Sequence, residues 1–270
     1  MILEGSERQN NKNSAVSETV GYIIIFGIMM TGIALIILLG YPALLNQQQE
    51  ANIRNMERNM IVLQSDVNAL VYKSVPYKET TMQVNGGVFS VKRPDQTPSF
   101  FTISDDSGSL LDTTLYPNGQ FKPGELQFLS ESNDISVSLE NGAVVKYQTG
   151  GSVMLSEPRW FIDSSTGTTT MVISLIQVDS SKILSKSGIC TVQLSIEPLP
   201  LNSAGDNIVD KSPVGGNVII STTLSAKYYK AWANYYTSTL GMEEITGTTW
   251  RKTGVDRVVI KAWRINVINL

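Results

Sequence analysis

The 270-residue chain has no histidine and one cysteine, Cys190. Without imidazole, Ser-His-Asp and Cys-His catalysis are excluded, and the commonest metal ligand is missing. A single cysteine permits no intrachain disulfide. Cys190 reads as a small apolar residue facing a core. No Asn-x-Ser/Thr sequon occurs, so ordinary N-glycosylation is not expected. Lys and Arg total 21 against 24 Asp and Glu, a net charge of −3. No stretch is densely basic, so nucleic acid is not an expected partner. Walker-type loops, G-x-G-x-x-G and Cys/His clusters are all missing. Asp105-Asp106 and Glu243-Glu244 are isolated pairs that suit solvated turns, since a Ca²⁺ site needs several oxygen ligands from one loop. The expected protein is no enzyme, and no catalytic, cofactor-binding or metal-ligating residue is nominated.

What the sequence does hold is one long apolar run, within Ser14 to Leu45. After Glu18 it carries no charge from Val20 to Leu45. As a helix that stretch is about 39 Å long, against a hydrocarbon core of about 30 Å. It is too long for a secretory signal core, and no A-x-A-like cleavage site follows. The reading is a single transmembrane helix with a lipid bilayer as its partner. The expected organisation is a leader over residues 1–15, a transmembrane and amphipathic helix over 16–75, and a β-rich domain over 76–270.

The residues around the start of the run carry a resemblance. Ala15, Val16, Ser17, Glu18, Val20 and Gly21, behind a polar leader, resemble the start of archaeal type IV pilin-like proteins. Lys12, the nearest basic residue, stands one step further from the small residue than in that pattern, with Asn13 between. The segments GGSVMLSEPRWF (Gly150 to Phe161) and AKYYKAWANYYTSTLGM (Ala226 to Met242) also look like an uncharacterised archaeal family of pilin-like membrane proteins. The resemblance implies processing by a class III (prepilin-type) peptidase near Ser14, Ala15 and Val16, with Lys12 in the leader. It also implies other pilin-like subunits as partners, an extracytoplasmic carboxyl-terminal domain, and a place in the cell membrane or a surface filament. Glu18 has two readings: a carboxylate reaching headgroups, or an assembly residue that neutralises a neighbouring subunit's terminal amine. Gly21 belongs to the same assembly segment.

Beyond the run, Pro42 lacks an N–H and should kink or loosen the helix. Ile53, Met56, Met60, Leu63, Val67 and Leu70 then recur at steps of three and four, an amphipathic helix packing on its own domain. Ser74 to Pro76 end it.

From Lys78 the period falls to two. Hairpins are expected at Asn85-Gly86-Gly87, at Asn141-Gly142 and around Thr253-Gly254. Leu110 to Pro117 reads as a strand, and Leu199 to Gly216 as a long exposed loop. Ala226 to Leu240 returns to helical spacing, with Gly241 as its carboxyl cap. Its aromatics, Tyr228, Tyr229, Trp232, Tyr235 and Tyr236, either pack onto the sheet or form an interface with a subunit or an unidentified surface ligand. The fold class is α+β: one long amino-terminal helix, a mainly antiparallel β-sandwich-like domain, and a short aromatic helix near the carboxyl terminus.

Overall fold

The computed structural model describes residues 4–131, 134–165, 167–223 and 227–270, with side chains from Glu18 onward apart from Thr223. It forms two compact units, residues 1–51 and Asn52–Leu270. The first unit is helical. Helix α1 spans Glu4–Leu35, a π-helical turn follows at Ile36–Gly40, and α2 spans Tyr41–Tyr72. Helical backbone therefore runs through residues 4–15 of the expected leader. In the wide turn the Tyr41 N–H donates to the Ile36 carbonyl. Pro42 has no N–H to continue the ladder, and the loosening it demands is met by this turn.

In the second unit, α2 buries Met56, Met60, Leu63, Val67, Leu70 and Val71. That is the seam the sequence spacing describes. Ser74 ends it with φ 54°. Polar ties flank the seam. Glu57 pairs with Lys146 at 2.7 Å, and Asp66 with Lys78 at 3.6 Å. Between them Gln64 Nε2 donates to the carbonyls of Gly142 (2.7 Å) and Glu157 (3.0 Å).

Sixteen strands follow among the described residues: β1 (Tyr77–Lys92), β2 (Phe100–Asp105), β3 (Gly108–Ser109), β4 (Gln120–Phe121), β5 (Glu125–Ser130), β6 (Ile135–Glu140), β7 (Ala143–Gln148), β8 (Gly151–Ser156), β9 (Phe161–Asp163), β10 (Thr170–Asp179), β11 (Ser185–Pro198), β12 (Ile208–Lys211), β13 (Val218–Thr223), β14 (Glu243–Thr246), β15 (Thr249–Lys252) and β16 (Arg257–Asn269). Helix α3 (Tyr229–Asn234) lies between β13 and β14. A ten-stranded sheet has the order β8-β7-β6-β5-β1-β11-β16-β10-β9, with β12 also on β16. A six-stranded sheet has the order β14-β15-β13-β2-β3, with β4 on β2. The described pairings are antiparallel apart from β10 with β16, which is parallel.

Two cores result. One joins α2 to the large sheet through Met82, Phe89, Phe128, Cys190, Val192 and Ile265. The other joins the two sheets and α3 through Phe101, Trp160, Ile173, Ile220, Trp232 and Trp250. The α+β class with a sandwich-like domain is thus what the chain adopts, and Cys190 is fully buried.

Four local expectations are corrected. Asn85-Gly86-Gly87 is a bulge within one long strand, not a hairpin: β1 pairs with β11 up to Val84 and again at Phe89 and Ser90, and with β5 from Gly87. Gly87 lets β5 approach, since a Cβ there would lie 2.3 Å from the Leu129 carbonyl oxygen. Thr253-Gly254 joins β15 to β16, which belong to different sheets. The tip of the last hairpin is instead at Gly247, between β14 and β15. Leu110 to Pro117 is a set of turns gathered on Asp112, whose carboxylate accepts from the backbone N–H groups of Thr114 (2.9 Å) and Ser203 (3.0 Å). Hydroxyls of Ser203 and Thr114 hold that carboxyl well below its ordinary range. Leu199 to Gly216 contains β12 and buries Leu199, Leu201 and Val209, so it is only partly an exposed loop. Asn141-Gly142 is a two-residue hairpin as read, with φ of 47° and 76°. Both residues are buried beneath α2 rather than facing water.

Leu63 is fully buried whereas Val62 is half-exposed. Leu63→Ala should therefore destabilise by about 2–5 kcal/mol, and Val62→Ala by less than about 1 kcal/mol. Chemical unfolding in detergent, followed by tryptophan fluorescence, checks the pair.

Candidate functional site

Two features stand out, one in each unit. In the first, the apolar surface of the helix is uncovered. The large apolar side chains from Ile23 to Leu39 are 49–70% exposed, with Ile36 and Leu38 at 70%. The helix is long and apolar enough to cross a membrane, and none of its most apolar window is buried within the chain. Tyr22 and Phe26, four apart, stack at 6.4 Å. Thr31 turns its hydroxyl back to the Gly27 carbonyl at 2.7 Å, which hides its one polar group from an apolar surround. Glu18 is exposed, and Gly21 is half-buried with open space beside it. The side chains of Lys12, Ser14, Ala15 and Val16 lie outside the described residues.

In the second unit, the two segments singled out by resemblance pack against each other. Lys230 Nζ donates to the Gly150 carbonyl (3.1 Å), and the Ala231 N–H donates to Ser152 Oγ (3.1 Å). Thr239 donates to Glu157 at 2.8 Å. Trp160 meets Trp232, Tyr235 and Tyr236 at 5.8–6.5 Å. After Asn234 the helix widens into a π turn, Tyr235–Thr239. Gly241, at φ 57°, caps it, and the Met242 N–H donates back to the Tyr236 carbonyl. The five aromatics nominated for an interface are committed to this core. Tyr228, Trp232, Tyr235 and Tyr236 are at most 3% exposed, and Tyr229 is half-buried. They offer no exposed aromatic face to a partner.

Beneath these rings lies a pair of carboxylates that sequence reasoning missed. Glu125 on β5 stands directly opposite Glu140 on β6, and they are 7% and 1% exposed. Ser138 Oγ donates to Glu125 Oε2, and Gln127 Nε2 donates to Glu125 Oε1 (3.3 Å) and to Tyr228 Oη (3.1 Å). Trp232 Nε1 donates to Glu140 Oε2 at 3.2 Å. Burial, and then the facing Glu125, push the Glu140 carboxyl up to about 8. Burial raises Glu125 as well, against hydrogen bonds from Ser138 and Tyr228. The Tyr236 phenol is raised by burial and by Glu140, and its hydroxyl has no hydrogen-bond partner. Like charges directly opposite in a dry sheet repel, so the pair keeps at least one proton at neutral pH. Such a pair can store a proton beneath α3. The legible signal was a glutamate at the end of each apolar strand, but their pairing depends on register.

The other carboxylates serve loops. Burial would raise Asp105, but the Ser107 hydroxyl and the N–H groups of Val214, Ser107 and Gly108 outweigh it and hold the carboxyl below its ordinary range. Asp105 is thus buried glue between loops, not a solvated turn residue. Asp106 accepts from Asn217 Nδ2 at 2.8 Å. Among the described residues no three His, Cys, Asp or Glu gather as metal ligands would.

A pH test follows. Folded Glu140 keeps its proton up to about pH 8, while the unfolded carboxyl loses it near 4.5. Across that window the native state binds more protons, so stability falls as pH rises. The chain has no histidine, and the facing Glu125, also raised by burial, acts in the same direction. Wild type should therefore melt at a lower temperature at pH 8 than at pH 5. Glu140→Gln, which keeps an acceptor for Trp232, should remove most of that slope and melt about 3 °C or more above wild type at pH 8. Thermal unfolding at the two pH values checks it.

No curated protein and no solved structure matches the chain. Among protein families, residues 15–267 match the one described as "Family of unknown function (DUF7289)". That match runs from the start of the apolar segment into the last strand, and the chain accordingly belongs to this family of unknown function.

Proposed function

We propose that the protein is a non-enzymatic, pilin-like, single-pass membrane protein that displays its β-rich domain outside the cell for assembly or adhesion. The observation that carries the reading is the helix from Val20 to Leu45, uncharged and uncovered by the rest of the chain. Water is a poor solvent for such a surface, whereas a bilayer or a bundle of like helices is a good one. The Gly27 carbonyl taking the Thr31 hydroxyl suits the same surround. A cut near Ser14 to Val16 would leave Glu18 close to a new amino terminus, where it can meet a neighbour's terminal amine. After that cut Glu18 would also lie in the first turn of the shortened helix, where the helix dipole favours a negative charge. The lack of histidine supports a binding or structural role over catalysis.

Full-length protein should stay with the membrane pellet through alkaline carbonate extraction, and deletion of residues 20–45 should release it into the supernatant. Full-length protein in the carbonate supernatant would contradict the anchor. Amino-terminal sequencing of protein from its native membrane should begin at Ala15 or Val16. An intact Met1 would leave the anchor standing and remove the pilin route.

A further inference from the structure

The parallel pair β10–β16 presents matched rungs to the core between the sheets. Met171 faces Val258, Ile173 faces Ile260, and Leu175 faces Ala262, all buried. The next rung on the same face is Gln177 opposite Arg264. A run of apolar rungs thus ends in a glutamine and an arginine, at the floor of an open cavity of about 630 Å³. That volume is within the usual range for small-molecule sites, roughly 300–1,000 Å³.

The floor is held in place from three sides. Arg264 Nε donates to Gln177 Oε1 at 2.9 Å, and Arg264 NH1 donates to Glu197 Oε1 at 2.8 Å. Gln177 Nε2 donates to the Lys122 carbonyl at 3.0 Å, so both ends of the Gln177 amide orient its neighbours. A guanidinium has five N–H donors, and three on Arg264 are left after these bonds. The rim is stiffened by Pro94, Pro117 and Pro200, and the Tyr116 hydroxyl ties it down by donating to the Pro200 carbonyl at 2.6 Å. Lys122 and the Gln120 amide also line the cavity. Charges at and around it are Arg264, Lys122 and Arg93 against Glu197 and Asp95, and Arg93 pairs with Asp95 at 3.2 Å. One positive charge is in excess.

We infer that this cavity is a binding site for a carboxylate-bearing sugar ring, such as a hexuronate residue. A carboxylate matches the planar donor fork of Arg264 and gains a second cation from Lys122. The carbon-bound face of a sugar ring lies against Pro117, Pro200 and Leu115, which is 45% exposed. The ring hydroxyls meet the Gln120 amide. Neutral sugars leave the arginine fork unfilled. Inorganic phosphate fills it but leaves the apolar rim bare. The inference does not depend on whether the amino-terminal helix enters a bilayer.

The test is ligand titration of the full-length protein in detergent, by saturation-transfer NMR or calorimetry, with glucuronate, glucose and inorganic phosphate as probes. Glucuronate should bind at concentrations up to about 10 mM, a weak single-ring affinity. Glucose should bind at least about tenfold more weakly. Arg264→Gln should weaken glucuronate by about tenfold or more, and Lys122→Ala by about threefold. Lys122 is exposed, so its variant decides the matter if Arg264→Gln does not fold. The inference is overturned if glucuronate does not bind, if glucose binds equally, if phosphate binds while glucuronate does not, or if Lys122→Ala leaves glucuronate affinity unchanged.

Discussion

The apolar helix surface that this chain leaves uncovered is the constraint on which the proposed function depends. Fully burying an aliphatic side chain stabilises by about 1.5–3 kcal/mol. Sixteen Val, Ile, Leu, Met and Phe side chains between Val20 and Leu45 are substantially exposed, so covering them is worth on the order of 20 kcal/mol. Exposed ion pairs such as Arg257–Asp210 contribute little beside it. Further along, the apolar positions narrow to a stripe, and from Met56 to Leu70 they are buried in the second unit.

The second unit is built around a different tension. Helix α3 and its flanks lay Tyr228, Trp232 and Tyr236, at steps of four, over the large sheet beside the acid pair. Tyr228 meets Gln127, Trp232 meets Glu140, and Tyr236 feels the Glu140 charge. The rings supply apolar area, and the Tyr228 and Trp232 tips help to satisfy carboxyls that would otherwise be costly to bury, while the Tyr236 hydroxyl stays without a partner. The two segments that resemble pilin-like sequences are the two halves of this assembly. Their aromatic pattern reports an internal packing unit, which is why a surface role could not be read from it.

Elements with a strong period were legible. The α2 seam, the strands with buried alternate positions and the aromatic helix all follow from spacing alone. Turns were read less well, because Asn-Gly has two uses. At Asn141-Gly142 the chain reverses; at Asn85-Gly86-Gly87 it bulges, keeps β11 and gains β5 as a second partner. Only the contacts across the sheet separate these outcomes, and those are set by register. The same limit hid Glu125 opposite Glu140 and Gln177 opposite Arg264, because each pair is assembled by strand partners that one sequence does not specify. Thr253-Gly254 looked like a hairpin because both flanks alternate, yet its flanks belong to two sheets.

The solvent around the amino-terminal helix can be probed directly. With Cys190 replaced by alanine, a nitroxide spin label at Ile28 in protein reconstituted into lipid vesicles reports the local medium through its relaxation. A lipid-embedded helix predicts a label readily reached by molecular oxygen and hidden from a water-soluble nickel chelate. A label fully accessible to the nickel chelate, in a sample whose β-rich domain is folded, would contradict the account.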